Sequence, residues 1–402
     1  MSKTPRLFPR ARIPYGTWGS SYFPAWQTSP FAEVNIGQFA GEAMNQILGK
    51  RKVPQSALDY LIIGSTIPWH WKFWNAPLVA ACLGHRVPGY HMEQACATGL
   101  QAIIASAAQV ETEASSVVGV LTFDRTSDSP VGVFPERRAY RRTEVIADVW
   151  DNFGFDPSTG KAMITTAGLA ARKHKIDRKE VDELTCLRYQ QYFDAKESGF
   201  LDRVLFPFDV LNVQGKSLGV VDEDTGVRKI SLSNLRDMRE LDTCVTPGTQ
   251  THASDGMAAM LVTNEEKARE LSPRPEIDIQ FVGKMEIRTS PALMPEAPGI
   301  AVGKLLERTG LSLSDMVVIK NHNPFALNDA IFAKQFGYDW RGMNKTGCSL
   351  VWGHPQGPTL TRIVIESLEE AVTLGGGYVL VFGCAAGDVG IAAILYVTEA
   401  RS

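Results

Sequence analysis

Residues 93–103 read EQACATGLQAI, and the fold turns on how this stretch is parsed. GYHMEQA (89–95) is strand-like and delivers Cys96 to a turn. TGLQAIIASAAQVE (98–111) is then a helix of small residues, and SSVVGVLTF (115–123) a buried strand rich in β-branched side chains. Working upstream, FAEVNIGQFAGEAMNQILG (31–49) spaces its apolar residues helically. LDYLIIGST (58–66) is a short apolar run ending in a turn, and NAPLVAACLG (75–84) is a helix stopped by Gly84. Strands alternating with helices of this length predict a parallel or mixed sheet covered by helices, an α/β fold.

The same rhythm returns near the carboxyl end. EIDIQFVGK (276–284) is a strand, PGIAVGKLLERTG (298–310) a helix and MVVIKNH (316–322) a strand; TRIVIESLEEAV (361–372) leads through a glycine turn to YVLVFG (378–383). This loose repeat predicts two similar halves, 1–124 and 251–402, whose strand ends face one another, where open α/β sheets place their sites. Between them, 125–250 breaks the rhythm with RTSDSP, PERRAYRRTE and NVQGKSLGVVDEDTGVRK, and only 164–176 and 178–197 read as good helices. It is expected to be an inserted loop domain that serves binding.

Composition narrows the function. A chain of 402 residues with 44% hydrophobic and 21% charged residues is ordinary for a globular protein with a sizeable core. A net charge of -3 argues against a nucleic-acid partner, and no apolar run is long enough to span a bilayer. The amino-terminal MSKTPRLFPRARIP lacks an apolar stretch, so no secretory signal is expected. The six cysteines are scattered without a CxxC pair, which predicts free thiols of a reducing, cytoplasmic compartment and no metal site.

Three glycine-flanked stretches carry the chemistry: Cys96 in 93–103, His354 in GHPQGPT (353–359) and Cys384 in FGCAAGDVG (382–390). A free thiol ionises near pH ~8.5, so a nucleophilic cysteine needs a positive helix end or a base. The helix opening after Cys96 would supply the first, favouring thiolate, and an imidazole on the rigid GHPQGP turn the second. Free amides after Cys384 suit an oxyanion, and its thiol suits proton transfer at a substrate carbon. Each cysteine alone reads equally well as a buried core residue; the combination points to acyl transfer through sulfur with a carbanion beside it.

These stretches resemble the thiolase family over essentially the whole chain. CATGLQAI (96–103) resembles its nucleophile segment, GHPQGPTLTR (353–362) its GHPxGxSGxR element, and GCAAGDVGIAAILY (383–396) its carboxyl-terminal motif; RIPYGTWGSSY (12–22) and THASDGMAAMLV (251–262) resemble further family segments. The resemblance implies a five-layered α/β/α/β/α fold of two pseudo-symmetric βαβαβαββ halves. It also implies Cys96 as acylated nucleophile, His354 as its base, Cys384 as acid and base on the α-carbon, and the amides of Cys96 and Ala386 as one oxyanion hole. His322 of NHNPFA (321–326) would share the other hole with His354, standing where most of the family carries the Asn of NEAF. Asn323 then replaces a carboxylate as a neighbouring support. Ser254, Met163 and Phe325 are implied at the acyl and pantetheine pocket, where Ala162, His252 and Asp388 depart from the family pattern.

The implied activity is CoA-dependent cleavage, or the reverse condensation, of a 3-oxoacyl-CoA by an acetyl-CoA C-acyltransferase. CoA is the co-substrate, with no permanently bound cofactor. The partners implied are a second or further copies as homodimer or homotetramer, and for a histidine-containing subset a small zinc-ribbon/OB-fold subunit. Trp69, His70, Trp71, Phe73 and Trp74 suggest a pocket for a bulky or aromatic acyl chain, or equally a dimer contact or loop packing against the core. Arg137, Arg138, Arg141 and Arg142 suit CoA phosphates, or else a solvated face. A decarboxylating ketoacyl synthase and a catalytically silent CoA-ester-binding subunit are the alternatives.

Overall fold

A computed structural model describes residues 6–127, 129–138 and 141–399, without the side chains of 135–145 and 399. The first half runs β1 (Phe8–Arg12), α1 (Ile36–Lys50), β2 (Tyr60–Gly64), α2 (Asn75–Cys82), β3 (Gly89–Met92), α3 (Thr98–Glu111) and β4 (Val117–Asp124). After β5 (Gly132–Arg138), β6 (Arg141–Ala147), α4 (Met163–His174) and α5 (Arg178–Glu197) comes β7 (Gly256–Asn264). The second half runs β8 (Ile277–Arg288), α6 (Ala297–Thr309), β9 (Met316–His322), α7 (Leu327–Phe336), α8 (Gln356–Thr373), β10 (Gly377–Ala385) and β11 (Val389–Glu399).

The strands bond in the order β9-β10-β11-β8-β1-β7-β4-β2-β3, with β1 joining two sub-sheets. Counted within each half, the first has order 1-5-4-2-3 and the second 1-4-3-2, which is the first's order with its third strand left out. The halves are therefore pseudo-symmetric, and the second lacks its third strand. There the chain instead meets β9 through Asn344, whose amide donates to the Ile319 carbonyl at 3.0 Å. β7 pairs antiparallel with β4 from Gly256–Asp124 to Thr263–Val117. Residues 256–264, grouped above with the second half, thus belong to the first half's sheet. The segment 125–250 is also more regular than a loop domain, with two hairpins and the two long helices α4 and α5.

Helices α1 and α2 cover the outer face of the first sub-sheet, α6 and α7 that of the second, and α3 with α8 lie between the two, giving five layers. The small residues of α3 make this possible. A Cβ on Gly99 would sit 2.6 Å from Thr361 Oγ1 and 2.7 Å from its amide, so the two central helices touch backbone to backbone at their amino-terminal ends. Residues 356–372 of α8 are all buried, charges included. The charges are tolerated because they are paired: Arg362 is bidentate on Asp224 (2.8 and 2.9 Å) and also meets Glu366 at 2.9 Å, and Lys320 reaches Glu366 at 2.6 Å. Among the described residues no helix is long and apolar enough to cross a membrane.

Candidate active site

Cys96 sits on a strained turn between β3 and α3. Ala95 before it takes φ +42, a left-handed conformation costly for a residue with a Cβ. Thr98 holds the turn: its hydroxyl donates to the Ala95 carbonyl (2.7 Å) and accepts from the Gln94 amide (2.8 Å). The sulfur is thereby lifted off the start of α3 toward the second half, where His354 Nε2 lies 3.1 Å away.

The state of His354 follows from its other nitrogen. Nδ1 is 2.8 Å from Thr359 Oγ1, and that hydroxyl already donates to the Pro355 carbonyl at 2.6 Å. It must therefore accept from Nδ1–H, which leaves Nε2 as a lone pair facing the Cys96 thiol. Burial pushes the His354 pKa down to about 3 and the Cys96 thiol up to about 12. The amides of Ala386 and of Cys96 itself bond to the sulfur and oppose that rise, but burial wins. The helix end alone does not make a thiolate here, contrary to the expectation from sequence. The resting pair is thiol and neutral imidazole, and the proton moves when the sulfur attacks.

His322, at the end of β9, stacks on His354 with ring centroids 4.1 Å apart. Its Nδ1 is 2.8 Å from Ser349 Oγ, while its Nε2 is buried without a partner. Burial, then the neighbouring His354, hold its pKa well below the ordinary value. Asn323 points away from the cleft. Its Nδ2 donates to Asp329 (3.0 Å) and its Oδ1 accepts from the Leu350 amide (3.1 Å), so it supports the loop. A carboxylate at 323 would face that of Asp329, which accounts for the amide at this position.

Cys384 ends β10, fully buried, its thiol pushed far up by burial and by Cys96. Asn328 donates to its sulfur at 3.6 Å, oriented by accepting the Phe325 amide at 3.2 Å. The next turn is tied down by Asp388, at φ +62, whose carboxylate accepts the amides of Ala292 (2.9 Å) and Leu293 (3.1 Å). This anchors the loop that brings Met294 to the cleft. Asp124, at the end of β4, links the halves by accepting from Thr66 N (2.8 Å), Ile67 N (3.0 Å) and Gly357 N (2.6 Å). Its burial pushes its pKa up to about 6.

Cys96, His354 and Cys384 line one cleft of about 620 Å³ with Ala386, Met163, Phe325 and His252. The family model described as "Thiolase, N-terminal domain" matches residues 24–266, and "Thiolase, C-terminal domain" matches 278–397. The chain belongs to the thiolase family. It is an acyltransferase by that membership. An acetyl-CoA acetyltransferase of Synechocystis is 26% identical over 375 residues, 89% of this chain and 90% of that one. The human mitochondrial 3-ketoacyl-CoA thiolase is 25% identical over 401 residues, 96% of each. Among solved structures, the Bacillus anthracis acetyl-CoA acetyltransferase superposes with TM-score 0.88 at 25% identity, covering 96% of this chain and 98% of that one. The human mitochondrial 3-ketoacyl-CoA thiolase in complex with CoA gives 0.86 at 23%, covering 98% and 99%.

This thiolase-family chain corrects several of the pocket assignments. Ser254 is wholly buried against Gly353 behind the His354 loop and does not line the cleft. Trp69 is buried in the outer core, while Trp71, Phe73 and Trp74 are exposed near the β3 edge; none lines the cleft. The aromatic wall comes instead from Trp150, Phe153 and Phe155 in the inserted segment. Arg137, Arg138, Arg141 and Arg142 lie on the β5–β6 hairpin, their side chains outside the described residues. Sequence reasoning missed Thr359, Asp124, Asn328 and Ser349. Thr359 was within reach, five residues beyond His354 in the same motif; Asn328 and Ser349 gave no signal.

Proposed function

We propose that this protein is a thiolase that cleaves a 3-oxoacyl-CoA with CoA, or condenses in reverse, through acyl-Cys96. The observation that carries this is the lone pair of His354 Nε2 at 3.1 Å from the Cys96 sulfur, with Cys384 in the same cleft. His354 takes the thiol proton as the sulfur attacks the 3-keto carbon, and the oxygen's developing charge falls to the amides of Cys96 and Ala386. The bond between C2 and C3 breaks, and the acetyl-CoA carbanion takes its proton from Cys384. His354, now carrying hydrogen on Nε2, joins His322 in holding the enolate oxygen. The thiol of CoA then gives its proton to the Cys384 thiolate and attacks acyl-Cys96, and His354 returns its proton to the departing Cys96 sulfur as the shortened acyl-CoA leaves.

Trp150, Phe153, Phe155, Met163 and Phe325 favour a bulky or aromatic acyl chain over a short one. The stacked His322–His354 pair also favours a second reading, a ketoacyl synthase-like condensing enzyme that works with two histidines. Partners would be acyl-CoA and CoA, further copies as dimer or tetramer, and for the histidine-containing subset a small zinc-ribbon/OB-fold subunit; the setting proposed is the cytoplasm. The test is a panel of short, branched and aromatic 3-oxoacyl-CoA esters with Cys96→Ser as control. Wild type should show CoA-dependent cleavage and a mass adduct on Cys96, and the variant should lose roughly 10⁴-fold or more in rate while remaining folded. An active Cys96→Ser protein, or no adduct on wild type, defeats the assignment; condensation of malonyl thioesters by a Cys384→Ala variant would favour the synthase.

A further inference from the structure

The cysteine spacing carries no metal signature, yet the fold assembles one from three distant segments. Cys96 Sγ and one nitrogen each of His322 and His354 lie within 4.8 Å of one another. A tetrahedral zinc ion with bonds of ~2.3 Å to sulfur and ~2.0 Å to nitrogen needs ligand atoms roughly 3.3–3.6 Å apart. The 3.1 Å between Cys96 Sγ and His354 Nε2 is already close to such an edge. His322 is 0% exposed, and its Nε2 ends without a partner. Both imidazoles also carry a hydroxyl at 2.8 Å on the far nitrogen, Ser349 Oγ for His322 and Thr359 Oγ1 for His354. An outer hydrogen bond of this kind orients a metal-bound histidine.

We propose that Cys96, His322 and His354 form a site for a thiophilic divalent cation, zinc above all, that holds the enzyme in an inactive form exclusive of the acyl-enzyme. Binding forms three bonds to the metal and releases the Cys96 proton to solvent; nothing is oxidised or reduced. The fourth position opens on the cleft, where water completes the coordination. His322 needs its hydrogen on Nδ1 for this, the opposite of the tautomer that donates to an enolate. Ser349 permits both: its hydroxyl can donate to His322, or turn to Asn323 Oδ1 at 3.2 Å and accept from Nδ1–H. The metal and the acyl group compete for the same sulfur, so the ion also shields the nucleophile from alkylation.

The test reads the metal directly and stands apart from any acyl substrate. The full chain, stripped of metal, is titrated with Zn²⁺ against a chromophoric chelator, and with Co²⁺ while following the thiolate-to-cobalt charge-transfer band. One equivalent per chain should bind, with proton release. Cys96→Ala should abolish the band, and Ser349→Ala should weaken binding roughly 10- to 100-fold. His322→Asn, which keeps a polar amide in place, should weaken it at least as much. Wild type alkylated at Cys96 should bind none, which controls for a variant that fails to fold. Equal zinc affinity in wild type, alkylated protein and His322→Asn would mean an adventitious ion elsewhere and overturn the proposal, as would a cobalt complex without the charge-transfer band.

Discussion

Cys96 and Cys384 sit on two turns at the strand ends of the two halves, and each turn contains a non-glycine residue at positive φ, Ala95 at +42 and Asp388 at +62. Both thiols are driven up by burial. Their neighbours differ. Cys96 has a lone pair at 3.1 Å that can remove its proton, whereas the only polar side chain bonded to Cys384 among the described residues is a donor, Asn328. A base beside one sulfur makes a nucleophile; a donor beside the other makes a thiol that can lose a proton to a carbanion and hold the resulting charge. Two cysteines whose thiols are both driven up, one partly and one fully buried, are thus given separate tasks by what their partners can accept or give.

The largest effect that can break this division is Cys384→Ala. If Cys384 only moves the proton, cleavage of 3-oxoacyl-CoA should fall roughly 10²- to 10⁴-fold. Acylation of Cys96 by a simple acyl-CoA, followed by mass spectrometry, should change only a few-fold. Equal loss in both assays would mean that Cys384 takes part in building the nucleophile.

Asp124 raises the Cys96 thiol and does not act on Cys384, so it should mark one turn and spare the other. Its folded-state pKa of about 6 lies above the ordinary 3.8, so the folded chain holds this proton more tightly than the unfolded chain. The stabilising contribution is whole below pH 3.8 and is lost as pH rises through about 6, a change of ~3 kcal/mol. Asp124→Asn cannot ionise and should lose that slope when denaturant midpoints are compared at pH 4.5 and 7.5. The variant should also alkylate faster at Cys96. An unchanged slope would show that the amides around the carboxylate outweigh its burial.

Asn328→Asp separates a donor from a strut. Aspartate can still accept the Phe325 amide that Asn328 caps, so the loop should hold. It can no longer donate to Cys384 and brings a negative charge toward the sulfur. A hydrogen bond to a charged group is worth ~1.5–3 kcal/mol. Exchange of the α-protons of acetyl-CoA with solvent should therefore slow roughly 10- to 100-fold and shift its dependence to higher pH, with Cys96 acylation little altered. An unaffected exchange rate would leave Asn328 a purely structural residue.

What could be read from the sequence tracks how local the physics is. The strand–turn–helix around Cys96 was legible because β-branched runs, small helix residues and Gly84 act within a few positions. So was the tight turn at His354. The outlying members were not. Asn328 is an unremarkable helical asparagine until β10 passes beside it, and Ser349 has meaning only after β9 places His322 against it. The sign of the Cys96 shift was misread for a related reason: a helix end is a local feature, whereas burial of the sulfur depends on both halves closing over it. The aromatic wall was sought in the densest cluster, 69–74, but that cluster serves an outer core and an exposed edge, and three sparser aromatics of the inserted segment reach the cleft.

The smallest effects should distinguish the two turns by sign. At Ala95 the positive φ is uncompensated by any side-chain bond, since alanine has none to make. Ala95→Gly removes a left-handed penalty of ~1–2 kcal/mol and costs ~0.4–1 kcal/mol through the freer unfolded chain, a net stabilisation of about 0.5–1 kcal/mol. At Asp388 the same change also relieves the backbone, but it deletes the carboxylate that accepts from Ala292 and Leu293. The Ala292 amide loses its acceptor, that of Leu293 keeps only the Ser290 carbonyl at 3.3 Å, and the loop carrying Met294 is released, so Asp388→Gly should destabilise by ~1–3 kcal/mol. Chemical denaturation of both variants decides the matter. Shifts of the same sign would mean that backbone strain alone governs both turns, and that Asp388 stands where it does for another reason than holding the loop.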